Sequence, residues 1–204
     1  MIASCIYWTY QEDHGCFIPI PYTYSWSASF IKTVIVKKAL IIVAALIGGT
    51  ILLRGPIYRC LFSYEVIGQR PIQEIPRLPS NSTTALDAGI DRSLGTVSHL
   101  LHFSSGNVSN DPRKLSEGGP ANCIGYAALF AQLLSTQLDP RTHKISHGIA
   151  RIHFLHLDIH SFTNDPFWKD HDIVIVEDLV NGRRIGVDPT LYDAVGISLI
   201  SLKD

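Results

Sequence analysis

The chain has 204 residues, a formal charge of −1 and a pI near 6.7. That balance excludes the clustered basic surface of a nucleic-acid-binding protein, and the length allows one compact domain plus an appendage. Four scattered cysteines, Cys5, Cys16, Cys60 and Cys123, form no C-x-x-C pair, and only Cys123 lies in the C-terminal region, so a disulfide framework there is excluded unless Cys60 folds back to it.

Residues 1–35 show no sustained period of either kind. Val36-Lys37-Lys38-Ala39-Leu40 resembles the start of a secreted or anchored bacterial protein, with Val36 read from an alternative initiation codon. Residues 1–35 are therefore read as an over-extended start, with a genuine tail as the alternative. Recovery of native peptides containing Trp8 would exclude the first reading.

Residues 39–53 are an uncharged apolar run, shorter than the roughly 20 residues that a spanning helix wants. Lys37 and Lys38 precede it and Arg54 and Arg59 follow it, and such side chains extend a short span by snorkelling. The run fits an uncleaved signal-anchor, the core of a cleaved signal, or a buried helix. The anchor is favoured, because no small-x-small cleavage triplet follows. Lys32, Lys37 and Lys38 outnumber Arg54 and Arg59, which puts the C-terminal domain on the extracytoplasmic side, periplasmic or at the cell surface. Residues 36–60 are thus read as a membrane anchor. Residues 61–84, with Arg70-Pro71, Ile75-Pro76, Leu78-Pro79 and a Ser/Thr/Asn cluster, read as a linker, and residues 85–204 as the folded domain. Asn81-Ser82-Thr83 and Asn107-Val108-Ser109 fit the N-glycosylation sequon.

Within the domain, Leu86, Ile90, Leu94, Val97 and Leu101 have helical spacing over 85–103, and a polar loop follows over 107–119. Ile124, Ala127, Ala128, Ala131 and Leu134 mark a second helix that stops near Leu138-Asp139-Pro140. The period then changes to two over Ile149–Leu157 and His171–Asp178, and Asn181-Gly182 signals a hairpin with Arg183–Asp188 returning. Helices first and antiparallel strands later give the α+β class.

Cys123 heads the second helix. Gly118-Gly119-Pro120 forbids regular helix before it, which puts the thiol in the first turn, where the helix dipole and unpaired N–H groups favour an anion. A small buried hydrophobe is the bland alternative. A nucleophilic thiol needs a base and the base an orienting group. His171 opens a strand and Asp188 ends its partner. A two-residue turn at Asn181-Gly182 sets Asp188 opposite Ile175, four residues from His171, so a longer loop, a bulge or a slip is required. Moving the turn centre toward Val180 is expected to widen that gap.

Asn122-Cys123-Ile124-Gly125-Tyr126-Ala127, His171-Asp172-Ile173-Val174 and Gly186-Val187-Asp188-Pro189-Thr190 resemble, in order and spacing, the three motifs of the transglutaminase-like superfamily. The resemblance covers roughly residues 85–195. It implies a papain-like α+β core, with Cys123 as nucleophile, His171 as general base and acid and Asp188 as the group that orients His171. It further implies acyl transfer from a peptide bond or glutamine-type amide of a protein or peptide substrate, through a thioester, with no metal or cofactor required. Ile173 stands where the family usually has a large aromatic, and Trp168 lies just upstream. Because the superfamily includes non-catalytic members, a silent protein-binding module at the membrane is the alternative.

His143, His147, His153, His156 and His160 are read as surface or hydrogen-bonded residues rather than metal ligands, with His153 and His156 on opposite faces of one strand. Tyr126 is read as core rather than cleft, Asp172 and Asp178 as solvated edge residues, and Trp168 as a candidate wall of the site.

Overall fold

A computed structural model of the protein describes residues 5–7, 20–22, 28–72, 85–106, 108–162, 165 and 168–203, in two units, Met1–Ile51 and Leu52–Asp204. In the first unit β1 (Cys5–Tyr7) and β2 (Ile20–Tyr22) pair antiparallel. Three-residue strands are too short to show a sequence period, which is why residues 1–35 read as featureless. Helix α1 (Ala28–Leu61) starts ahead of the boundary expected at Val36, because no proline or glycine interrupts 28–36, and it continues into the second unit. Its segment Leu40–Leu61 is long and apolar enough to cross a membrane.

The second unit corrects the reading of 61–84 as linker throughout. β3 (Phe62–Arg70) follows α1 directly and pairs over its length with residues 147–154, except at a bulge at Ile67. Phe62, Tyr64 and Val66 alternate with polar residues, a strand signal that the prolines after Arg70 obscured. The chain continues through α2 (Leu86–Leu100), β4 (Leu101–Phe103), α3 (Pro112–Leu115), β5 (Gly119–Ala121) and α4 (Cys123–Gln137). Then come β6 (His143–Phe154), β7 (Leu157–Asp158), β8 (His171–Asp178), β9 (Arg184–Val187), α5 (Pro189–Val195) and β10 (Leu199–Lys203). Helix and strand are mixed as the α+β class requires. The loop expected over 107–119 carries α3 and reaches β5, and Asn81–Thr83 and Asn107 of the two sequons lie outside the described residues.

The main sheet runs β3-β10-β9-β8-β6-β7, and β3 also pairs with β6. The pairings therefore close into a ring of five strands, a small barrel that removes its own edges. The expectation of an antiparallel sheet holds except at one contact: β10 runs parallel to β3, with Leu202 opposite Tyr64.

The barrel's two faces follow the period of two. Tyr64, Ala150, Ile173, Ile175 and Ile200 pack together on the inside. Val174, Val176, Ile185 and Val187 face outward and are covered by the helices, notably Tyr126, Leu129, Phe130 and Leu134 of α4 and Ile90, Leu94 and Val97 of α2. Because β8 is buried on both faces, Ile173-Val174-Ile175-Val176 is a continuous apolar run rather than an alternation. α4 is also apolar well beyond one stripe, so its buried set includes Leu129 and Phe130, which the single-face reading left out, beside Tyr126.

Candidate active site

Cys123 is the first residue of α4 and only 9% exposed. Gly118 and Gly119 take positive φ values of 90° and 130°, a left-handed approach that few other residues adopt, and this turns the chain into the helix. Asn122 caps the helix, its Oδ1 accepting the Gly125 N–H at 3.2 Å. The turn and the cap together fix the thiol in the first turn. Cys60 and Cys123 are both free thiols, Cys60 exposed and Cys123 buried.

His171 opens β8, and Asp188 ends the β9 segment as the N-cap of α5. Their side chains meet, with His171 Nε2 2.8 Å from Asp188 Oδ2. The observed register pairs Val174 with Val187 and Ile175 with Gly186, not Ile175 with Asp188. The shift comes from the turn. Asp178 Oδ1 accepts the N–H groups of Val180 and Asn181, its Oδ2 accepts Asn181 Nδ2, and Gly182 closes the loop at φ 66°. This longer loop moves the turn centre toward Val180 and narrows the gap between His171 and Asp188 from four residues to two, where widening was expected. A shift of two keeps both side chains on the same face, and diagonal neighbours on one face lie within reach of a long side chain.

With Nε2 committed to Asp188, Nδ1 is left to face Cys123, whose thiol is close enough to the ring to raise its pKa. Burial of the imidazole favours its neutral form, but the Asp188 charge and the bonds to Asp188 and Cys123 outweigh burial and hold its pKa well above the ordinary histidine value. Asp188 is 1% exposed. Burial pushes its carboxyl up, but the His171 charge, the His171 bond, the Leu191 N–H and the Tyr64 hydroxyl bring it below the usual carboxylate value. The result is a line of three groups, thiol, imidazole and carboxylate, with the ring poised to be cationic.

The residue after His171 points to the other face. Asp172 was expected on a solvated edge; it is 1% exposed, because Arg70 and His147 enclose it. Arg70 Nε donates at 2.6 Å and His147 Nε2 lies at 2.8 Å from the same Oδ1. Burial raises the Asp172 carboxyl, and the bonds from His147 and Arg70 more than reverse this, so it titrates below the usual value. A cavity of about 200 Å³ lies alongside, bounded by Arg70, His147, Asn110, Ile72 and the Ile124, Ala128 and Ala131 stripe of α4. Ile124 adjoins Cys123, and the Arg70 guanidinium is near enough to feel the Cys123 charge.

Compared with protein-family models, with curated proteins and with solved structures, the chain matches none.

The remaining expected residues fall into place individually. Tyr126 is fully buried and donates to Asp193 Oδ2 at 2.7 Å, a core residue with its tip tied to α5. Ile173 fills the barrel interior rather than the cleft. Trp168 is half-exposed and its carbonyl lies 2.7 Å from His160 Nδ1. His147 bonds Asp172, His153 bonds Glu65 and His143 bonds Thr142, while β6 ends at Phe154, so His156 lies in a turn and not on the strand expected to carry it. Among the described residues, no group of three His, Cys, Asp or Glu side chains is arranged to hold a metal ion. The residues that the sequence did not single out are Tyr58, Tyr64 and Arg70, all on α1 and β3, in segments assigned to the anchor and the linker.

Proposed function

We propose that residues 52–204 form a thiol acyl-transfer domain of transglutaminase-like type, held at a membrane by α1. The observation that supports this most directly is the convergence of Cys123, His171 and Asp188, with Cys123 beside an imidazole whose Nε2 is 2.8 Å from a buried carboxylate. The substrate is a peptide bond or a glutamine-type side-chain amide of a protein or peptide. The Cys123 thiolate attacks the amide carbon, and the oxyanion takes a hydrogen bond from the Cys123 backbone N–H, which has no intrahelical partner in the first turn. The His171 imidazolium gives its proton to the leaving nitrogen, the C–N bond breaks, and a thioester on Cys123 remains. Water then attacks the thioester, His171 takes the proton, and acid and thiolate are released. Asp188 holds the ring in orientation and stabilises its charged form.

The cavity along α4 receives the part of the substrate next to the scissile bond. Its walls are apolar, and Arg70, which Asp172 occupies along one edge only, offers the remaining donors to a carbonyl. In this reading the domain is extracytoplasmic, supported by Lys32, Lys37 and Lys38 outnumbering Arg54 and Arg59 across the apolar run.

The test uses p-nitrophenyl acetate as acyl donor. The expected result is an acetyl group on Cys123 by peptide mass spectrometry, with steady release of nitrophenol that is lost in Cys123→Ser and in His171→Ala. Acetylation of exposed Cys60 but not Cys123, or turnover unaffected by His171→Ala, would overturn the proposal and favour a silent binding module.

A further inference from the structure

We infer that Tyr64 is a positioning residue of the site, and that Tyr58 on the last turns of α1 completes a hydrogen-bonded relay that fixes the Asp188 carboxylate. The inference rests on the acyl-transfer reading for what the carboxylate does, and on separate geometry for the relay itself.

The inside of the barrel is otherwise aliphatic at this level, with Ala150, Ile173, Ile175 and Ile200 around Tyr64. A phenylalanine would fill the same space. The Tyr64 hydroxyl instead ends 3.0 Å from Asp188 Oδ2 and 2.7 Å from the Tyr58 hydroxyl, in a residue only 1% exposed. A buried hydroxyl with partners on both sides is specific, because a buried polar group left unpaired costs free energy.

The direction of the relay follows from proton counting. A carboxylate only accepts, so the single Tyr64 proton goes to Asp188, and the Tyr58 hydroxyl must therefore donate to the Tyr64 oxygen. Burial and the Asp188 charge raise the Tyr64 pKa far above its ordinary value, so this donor is never lost near neutral pH.

Oδ2 of Asp188 is shared. It accepts from both His171 and Tyr64, while Oδ1 takes the Leu191 N–H at 3.0 Å. The charged and titratable groups around the pair are Cys123 from α4 against the ring, Asp188 at the head of α5, Tyr64 from β3 and Tyr58 from α1. Arg70 and Asp172 pair with each other on the outer face of the sheet, near Cys123. Tyr64 therefore draws carboxylate charge away from His171 and tempers the stabilisation of the imidazolium. α1 is tied to the opposite end of the same helix as well, since Arg54 reaches the carbonyl of Gly196, the C-cap of α5, at 3.4 Å. Both ends of the helix that presents Asp188 are thus connected to the anchor.

The experiment is the pH dependence of Cys123 alkylation by iodoacetate, an anion that the imidazolium attracts and that reacts more slowly once the ring proton is lost, in the full chain in detergent micelles, for the wild type, Tyr64→Phe and Tyr58→Phe, with exposed Cys60 in each sample as reference. The expected result is a high-pH limb, set by loss of the imidazolium proton, that moves up by about half a unit in Tyr64→Phe, roughly a threefold change in the ion-pair population on that limb. Tyr58→Phe moves it in the same direction by less. A folded Tyr64→Phe whose limb superimposes on the wild type would overturn the inference. If Tyr64→Phe does not fold, a Tyr58→Phe limb identical to the wild type overturns it, and a shifted one supports it. A wild-type Cys123 rate that rises like that of Cys60 through an ordinary thiol pKa of about 8.5 refutes the acyl-transfer reading instead, so the two failures are distinguishable.

Discussion

His171 Nε2 lies 2.8 Å from Asp188 Oδ2, although the strands that carry them are two residues out of direct register at that point. The bond is diagonal, made across one face of the barrel, and it exists because the Asp178 turn shifts the hairpin by an even number of residues. Asp188 serves two local purposes at once. Its Oδ1 caps α5 through the Leu191 N–H, and its Oδ2 faces the imidazole.

Asp188→Asn separates these purposes. An asparagine still caps the helix, so cooperative melting should be kept, with the thermal midpoint lowered because the largely buried His171 loses its anionic partner. The imidazolium loses its anionic partner, and alkylation of Cys123 near pH 6 should fall by about tenfold or more. A rate equal to the wild type would mean that Asp188 is only a cap.

The charge pattern fixes how stability depends on pH. His171 has a folded pKa above its unfolded value of about 6.5, so its contribution is complete below that pH and fades as pH rises through the raised value. Asp188 and Asp172 have folded values below the usual one, so their contributions are complete above about pH 4 and fade as pH falls through the lowered values. Urea unfolding across pH should therefore show a maximum between roughly pH 4 and pH 6.5. The decline above that window should be reduced in His171→Ala. A decline of the same steepness in that variant would assign it to other groups.

Truncation distinguishes a linker from a structural strand. A chain beginning at Pro71 lacks β3, which pairs with both β6 and β10 and supplies Tyr64 to the barrel interior. It leaves two open strand edges and a hole where a fully buried tyrosine was, a loss on the order of 3–5 kcal/mol from the side chain alone. Far-UV circular dichroism and a melting curve should show no cooperative transition for that chain, whereas one beginning at Leu52 should melt cooperatively. Cooperative melting of the shorter chain would contradict the closed barrel.

Much of this was legible in the sequence, and the gaps have physical causes. The helix headed by Cys123 announced itself through Gly-Gly-Pro and its apolar spacing. β8 was visible as a strand, although its burial on both faces makes it a continuous apolar run rather than the expected alternation. The hairpin register was not, because Asn181-Gly182 is the strongest short turn signal while the Asp178 side chain, bonding forward to Val180 and Asn181, sets the actual loop. β3 was hidden by the prolines that follow it. Asp172 looked like an edge residue because its partners, Arg70 and His147, lie 102 and 25 positions away in the chain. Tyr64 could not be picked out among eight tyrosines without knowing that the sheet closes.

The most direct test of the central claim is the alkylation rate of Cys123 in the full chain as a function of pH, beside His171→Ala and with Cys60 as reference. The thiolate–imidazolium pair predicts a plateau reached well below pH 8 at Cys123, absent in His171→Ala, while Cys60 follows an ordinary thiol with a pKa of about 8.5. A Cys123 rate that rises through about pH 8.5 like Cys60, unchanged by His171→Ala, would contradict a nucleophilic site.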